Sequence, residues 1–403
     1  MQIKNKELFI ALDTSDDDAD DDEEEDNDDE EKEEEKEETA NQSFSEDMGK
    51  NKIIRNFYEP HSKTDSLTVG FKLDRSYVVH RSNISILKNN EEDNELEYVT
   101  TISNISDIKD KKHFTPYKPM LYMEDRAMLF QNPSDQTAIY KMDIERGTIV
   151  EKWSMGNKAL TSFGPAKKYD QLTNEQSFLG VSKKSLFQVD PRINSNNKIV
   201  LDATFDYKTN PKFTSLTTSQ EGYVSVGSTD GSIRLYDKLG IRAKTLIPGF
   251  GDEIKHSVIS NDGRWLLATC TDHLILYDLK IYEGKETTDL LAFSKSNSNP
   301  KYYYLKLPET IKTQIRSSGE SNIIFSRGYF NYGRYAKEDT VVTSTGKFII
   351  FWKLRNICKG IKEPVLLKKY DFDVIEDNFV YGSNNQVVVA FDKGVSMATS
   401  RKV

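Results

Sequence analysis

The side chains that could do acid–base, nucleophilic or metal chemistry are thinly spread. Five histidines, His61, His80, His113, His256 and His273, stand far apart in 403 residues, without the short spacing that sets two metal ligands together. A His-Glu-x-x-His helix, a Walker loop, a Gly-x-Ser-x-Gly elbow and a Cys-x-x-Cys pair are all missing from the sequence. Carboxylates are plentiful, and their positions sort them. Asp230, Asp262 and Asp272 stand at turns, where an Asp side chain accepts hydrogen bonds from its own backbone. Asp237, Asp278 and Asp392 each follow an aromatic residue at the end of an apolar run, and a position that repeats argues for a structural part. This reading assigns no catalytic residue, no cofactor and no metal. His273 reads as a turn or cap histidine, and His256 could join a turn network with Asp262.

Those turn and strand-end positions imply the elements that hold them. Between Glu221 and Asp237, two alternating apolar runs flank Asp230-Gly231, the strongest short-range signal of a hairpin, because a primed turn needs the positive φ that glycine adopts freely. The second run ends in Tyr236-Asp237, where WD-type repeats carry Trp-Asp. The pattern recurs. Ser260-Asn261-Asp262-Gly263-Arg264-Trp265 leads into a run ending at Asp278, 41 residues after Asp237; Asp190 and Asp143 precede Asp237 at successive intervals of 47. Phe348 to Lys353 and Val388 to Asp392 continue the series.

A period near 40 to 47 with about four strands per unit is the signature of a radial array. The expected fold is all-β: a seven-bladed WD40-like β-propeller with units near 65–101, 102–157, 158–208, 212–248, 253–300, 320–370 and 371–399. The interval of 75 between Asp278 and Lys353 reads as an insertion, with residues 280 to 320 a polar surface loop. The last unit is short, so residues near Lys52 to Tyr58 are expected to supply its outer strand and close the ring. Trp265 and Trp352 should pack between blades, whereas Trp153 suits a half-exposed or a buried place equally.

From Asp16 to Glu38 there are 19 acidic residues and two lysines, a local charge of −17 in a chain of net −10, so the remainder is mildly basic at +7. Such a run cannot bury enough apolar surface to offset the entropy of ordering. Residues 1–49 are therefore expected to be a disordered acidic tail or linker, and 50–403 the propeller domain. The run could contact a basic partner or the basic domain, and Thr14 and Ser15 could be phosphorylated by an acid-directed kinase. The first dozen residues lack the apolar core of a signal peptide, and no stretch approaches the roughly 20 apolar residues of a membrane span. Two cysteines make no disulfide framework, and Cys270 reads as a buried, reduced thiol. The compartment implied is the cytosol, or cytosol and nucleus.

The segment Gly231 to Asp252, with Asp74 to Val79, Leu129 to Pro133, Asp190-Pro191-Arg192, Asp262 to Trp265, Val342 to Gly346 and Asp377-Asn378-Phe379, resembles the C-terminal WD-like domain of the vacuolar import and degradation protein 27 family. The resemblance is collinear over about residues 65 to 399. It implies a propeller without accepted catalytic activity, linked to vacuolar import and degradation of cytosolic proteins. Longer members carry an N-terminal pleckstrin-homology-like module ahead of an acidic linker, and this sequence begins almost at that linker, as a short member or a truncated product would.

The expectation is thus a non-enzymatic, monomeric scaffold that binds other proteins. Its recognition residues are placed at Arg242, Lys244, Phe250 and Asp252, in a connection with little β character; the competing reading is that Pro248, Gly249 and Gly251 merely shape an inter-blade turn. Reversing the charges of Arg242 and Lys244 should then abolish partner capture. Two alternatives stand beside this one. A phosphoinositide or membrane-surface propeller would need a Phe-Arg-Arg-Gly motif that the sequence lacks, and a hydrolase or isomerase would need convergent polar groups in the central channel. Nucleic acid is not an expected partner, because no basic stripe with interleaved aromatics stands out.

Overall fold

Short apolar runs separated by tight turns build seven antiparallel sheets. The computed structural model describes residues 52–399 apart from 60, 73, 91–92, 94, 284–285, 295–298, 320–321, 332–337 and 381–385. The acidic run, Thr14 and Ser15 lie outside the described residues. Two units are distinguished, 50–401 and the remainder (1–49 with 402–403), and only the first is described.

The sheets span residues 66–102, 117–154, 160–206, 213–247, 256–306, 329–369 and 374–399, called blades 1 to 7. The first six have four strands and blade 7 has three, each strand pairing with the next in the sheet. Second strands such as Ala127–Asn132, Trp265–Thr269 and Gln386–Phe391 are buried at every position, because both faces of the sheet are covered by neighbouring blades. Fourth strands such as Glu95–Ile102 face solvent along most of their length.

The core is accordingly a ring of seams. Seven hydrophobic clusters are found among the described residues, and each is shared by two adjacent blades. Trp265 and Trp352 both lie in the seam between blades 5 and 6, where the Trp352 indole N–H donates to the Lys362 carbonyl at 3.1 Å. Trp153 is buried between blades 2 and 3, and its indole N–H donates to Glu151 at 2.8 Å. Fully burying one aromatic of this size removes on the order of 150–250 Å² from water, so each seam is strongly apolar.

Closure occurs where the sequence placed it, though by less than a strand. Ile54 exchanges two backbone hydrogen bonds with Val395, at 2.9 and 3.1 Å, and Phe57 enters the seam between blades 7 and 1. The Thr64 hydroxyl then donates to the Phe391 carbonyl at 2.6 Å. The expectation for residues 280 to 320 is overturned. This segment holds the fourth strand of blade 5, Lys301–Lys306, a separate hairpin of Lys280–Glu283 with Glu286–Leu291, and a helix, Glu309–Ser317. Tyr303, Leu305 and Ile315 reach the seam with blade 6 and fix the structure.

Candidate functional site

The recurring aspartates hold turns and strand ends together. Asp230 accepts from the backbone N–H and hydroxyl of Ser232, at 3.0 and 2.6 Å, and Gly231 beside it has φ of +79°. Asp262 accepts from the Arg264 N–H and the Ser260 hydroxyl, beside Gly263 at φ +73°. Asp278 takes the Arg264 guanidinium at 3.0 and 2.9 Å and the Tyr282 hydroxyl at 2.7 Å. Burial opposes ionisation of Asp278, but those two partners hold its carboxyl below the usual range. The buried Tyr236 hydroxyl meets that of Tyr207 at 3.0 Å, and desolvation pushes its pKa far up.

His273 is buried, with Nδ1 2.8 Å from Asp272 and its ring stacked on Tyr304 at 4.4 Å. Desolvation raises the Cys270 thiol to about 12, which keeps it protonated and unreactive. Among the described residues no group of three or more His, Cys, Asp or Glu side chains is placed to hold a metal.

Arg242, Lys244, Phe250 and Asp252 do not form one surface. Arg242 and Lys244 lie between the third and fourth strands of blade 4, Ile233–Tyr236 and Thr245–Ile247. Phe250 and Asp252 lie beyond the fourth strand, on the way to His256–Ile259, the innermost strand of blade 5. Successive strands run in opposite directions, so the pairs occupy opposite ends of the blade. Lys244 is moreover turned back on Asp237, 3.7 Å away. The Phe250 ring lies tilted against Tyr302 of blade 5, centroids 4.9 Å apart, and both residues are 49% exposed.

The connection that carries Phe250 is pinned by backbone contact. Gly251 donates to the Asp230 carbonyl at 3.2 Å, and a Cβ on Gly249 would stand 2.1 Å from that same oxygen. Gly249 and Gly251 thus pack on the Asp230 turn of their own blade, while the Phe250 ring stays open.

A second region comes from the innermost strands. All seven blades line a cavity of about 940 Å³ along the propeller axis. His256 lines this cavity instead of meeting Asp262, because it opens the innermost strand of its blade while Asp262 occupies the turn that follows that strand. His256 is open to the cavity, and desolvation by the surrounding strands together with the charges of Arg327, Lys118 and Lys255 holds its imidazole below the usual range. Near the end of the cavity where the innermost strands finish, the Lys168 ammonium is tied to the Ile259 carbonyl at 2.5 Å and to Glu338 at 3.4 Å. No sequence signal announces this cluster, since its members come from different blades and share no motif.

A radial array of seven four-stranded or three-stranded sheets around a lined axis defines a WD40-like β-propeller. The likeness to solved structures agrees: the Cps50 (Swd1) β-propeller domain of Myceliophteria thermophila superposes with a TM-score of 0.56, covering 87% of this chain and 98% of that one at 10% identity. The chain belongs to the VID27 family, whose C-terminal WD40-like domain matches residues 62–403. Vacuolar import and degradation protein 27 of Saccharomyces cerevisiae is 44% identical over 352 residues, 85% of this chain and 45% of that protein. Its namesake in Schizosaccharomyces pombe is 33% identical over 357 residues, 88% of this chain and 44% of that protein. The chain thus spans less than half the length of these relatives. No helix among the described residues is long and apolar enough to cross a membrane.

Proposed function

We propose that this chain is a non-enzymatic interaction scaffold whose propeller binds another protein in the cytosol, in the process for which its relatives are named. The observation that carries this reading is the Phe250–Tyr302 pair, two half-exposed aromatic rings 4.9 Å apart at the outer seam of blades 4 and 5. Rigid aromatics that remain open to solvent are the side chains that most often supply interface energy, and here the exposed Asp252 adds a charge beside them. The glycine-pinned connection presents them with little conformational freedom left to lose on binding.

Affinity capture with quantitative mass spectrometry, comparing the full chain with Phe250→Ala/Tyr302→Ala, tests it. A hot-spot pair should cost roughly tenfold or more in recovered partner, without a matching fall in the amount of folded protein. Unchanged recovery would remove this corner from consideration. Arg242→Glu is the companion variant. Because Arg242 lies at the other end of the blade, its effect reports separately on the charged connection.

A further inference from the structure

The axial cavity contains a second, unassigned feature at the end where the innermost strands begin. Four basic side chains converge there from three blades. Lys118 is the second residue of Tyr117–Tyr122 in blade 2, Lys255 and His256 open His256–Ile259 in blade 5, and Arg327 stands just before Tyr329–Phe330 in blade 6. Lys118 sits in a bulge, where the pairing register shifts between Tyr117 and Met120, and its own φ is +52°. A bulge re-aims the side chain it carries, and a non-glycine residue held at positive φ stores strain that an ordinary strand avoids. The result is an ammonium directed across the wall, where it donates to the Thr161 carbonyl of blade 3.

The other cations are less occupied. Neither Lys255 nor Arg327 makes a side-chain hydrogen bond or ion pair among the described residues. Three carboxylates stand nearby. Asp65 accepts from the Arg81 N–H at 2.6 Å, and Glu376 accepts from the Leu67 N–H at 2.7 Å. Glu253 lies near enough to Lys118 to act on its charge, but not on His256, where the acting charges are those of Arg327, Lys118 and Lys255. Glu376 acts on Arg327 and Glu253 on Lys118, which leaves Lys255 without an ion-pair partner among the described residues, and an anion held between these basic groups would add attraction that the wall does not supply.

We infer that this end of the cavity is a binding site for a small, soluble polyanion bearing phosphate groups, held by Lys118, Lys255 and Arg327 with His256 as a further donor. The volume of about 940 Å³ is at the upper end of the range of small-molecule sites and leaves room for more than one phosphate group. Lys118 and Lys255 are half-buried in the cavity lining, which favours a ligand that enters the cavity over a flat lipid surface. This site is separate from the Phe250 corner, and its failure would leave that reading untouched.

Isothermal titration calorimetry of the full chain with inorganic tripolyphosphate at near-physiological salt tests the inference. The expected result is saturable binding that Lys255→Ala/Arg327→Ala weakens about tenfold or more, the scale of losing charge-assisted hydrogen bonds. The exposed pair Lys109→Ala/Lys112→Ala removes the same net charge and should change binding by less than about twofold. On the unmodified chain, saturating tripolyphosphate should move the His256 ring resonances, assigned through His256→Gln, and raise the pKa of that ring. This readout stands even if the double variant fails to fold. Absence of saturable binding, equal weakening by both double variants, or unmoved His256 resonances would each overturn the site. Binding to vesicles carrying a bisphosphorylated inositol lipid, without competition by tripolyphosphate, would overturn its soluble-ligand form.

Discussion

Glu376 and Asp377 are consecutive in the innermost strand of blade 7, Val374–Phe379, and meet opposite neighbours, Leu67 of blade 1 and Tyr329 of blade 6. Burial pushes Glu376 up to about 7, against the Leu67 N–H and Arg327, and Asp377 up to about 6, against the Tyr329 and Ser344 hydroxyls. Both values lie above those of an unfolded chain, so between about pH 4 and pH 7 the folded state binds more protons. Their contribution to stability is complete at the acid end of that window and is lost as pH rises through it. Glu376→Gln should therefore flatten the fall in urea-unfolding free energy between pH 5 and 7.5 by on the order of 1–2 kcal/mol. An identical slope in variant and wild type would show that Glu376 titrates normally. Nothing near Glu376 in sequence announces this, because the N–H that it accepts from belongs to Leu67, 309 positions away.

Turns, by contrast, are local chemistry, and the hairpins show it. Asp230-Gly231 and Asp262-Gly263 were legible as turns because the carboxylate, its backbone donors and the positive-φ glycine are all within a few residues. Gly231 also carries a constraint invisible in that window: a Cβ there would stand 2.7 Å from the Asp252 carbonyl. Gly251 shares the positive φ, at +99°, but has nothing within 4 Å of such a Cβ. Gly231→Ala should thus lose about 1–3 kcal/mol, and Gly251→Ala only the backbone part of it, about 1 kcal/mol. Thermal unfolding of the two variants checks the order, and equal losses would mean that close packing on the turn adds nothing. The fourth strand of blade 5 was missed for the converse reason. Lys301–Lys306 is bounded by polar sequence, and only pairing with His273–Asp278 and burial of Tyr303 and Leu305 make it a strand. The four residues proposed from one connection likewise separated to two ends once the short strand Thr245–Ile247 was seen to lie between them.

At the scale of the whole propeller, seven seams of similar kind make residues 50–401 a ring whose core is shared between neighbouring sheets. Such a ring is sensitive at its joint. Ile54 both donates to and accepts from Val395, so Ile54→Pro deletes a donor at the only bridge formed by the closing segment among the described residues. Loss of about 1–3 kcal/mol is expected, together with faster proteolysis at the 52–58 segment than elsewhere. An unaltered digestion pattern would place the strength of the joint in Phe57 and Thr64 instead. The joint also sets a timetable. Thr64 and its partner Phe391 are 327 positions apart, which at about 5–20 residues per second on the ribosome separates their synthesis by roughly 16–65 s. Throughout that interval the seam-facing side chains of blade 1, Leu67, Val78, Leu87 and Leu96, have emerged without the blade that will cover them. For that interval the seam of blades 7 and 1 is an open apolar edge, the kind of surface that chaperones cover in a chain still being made.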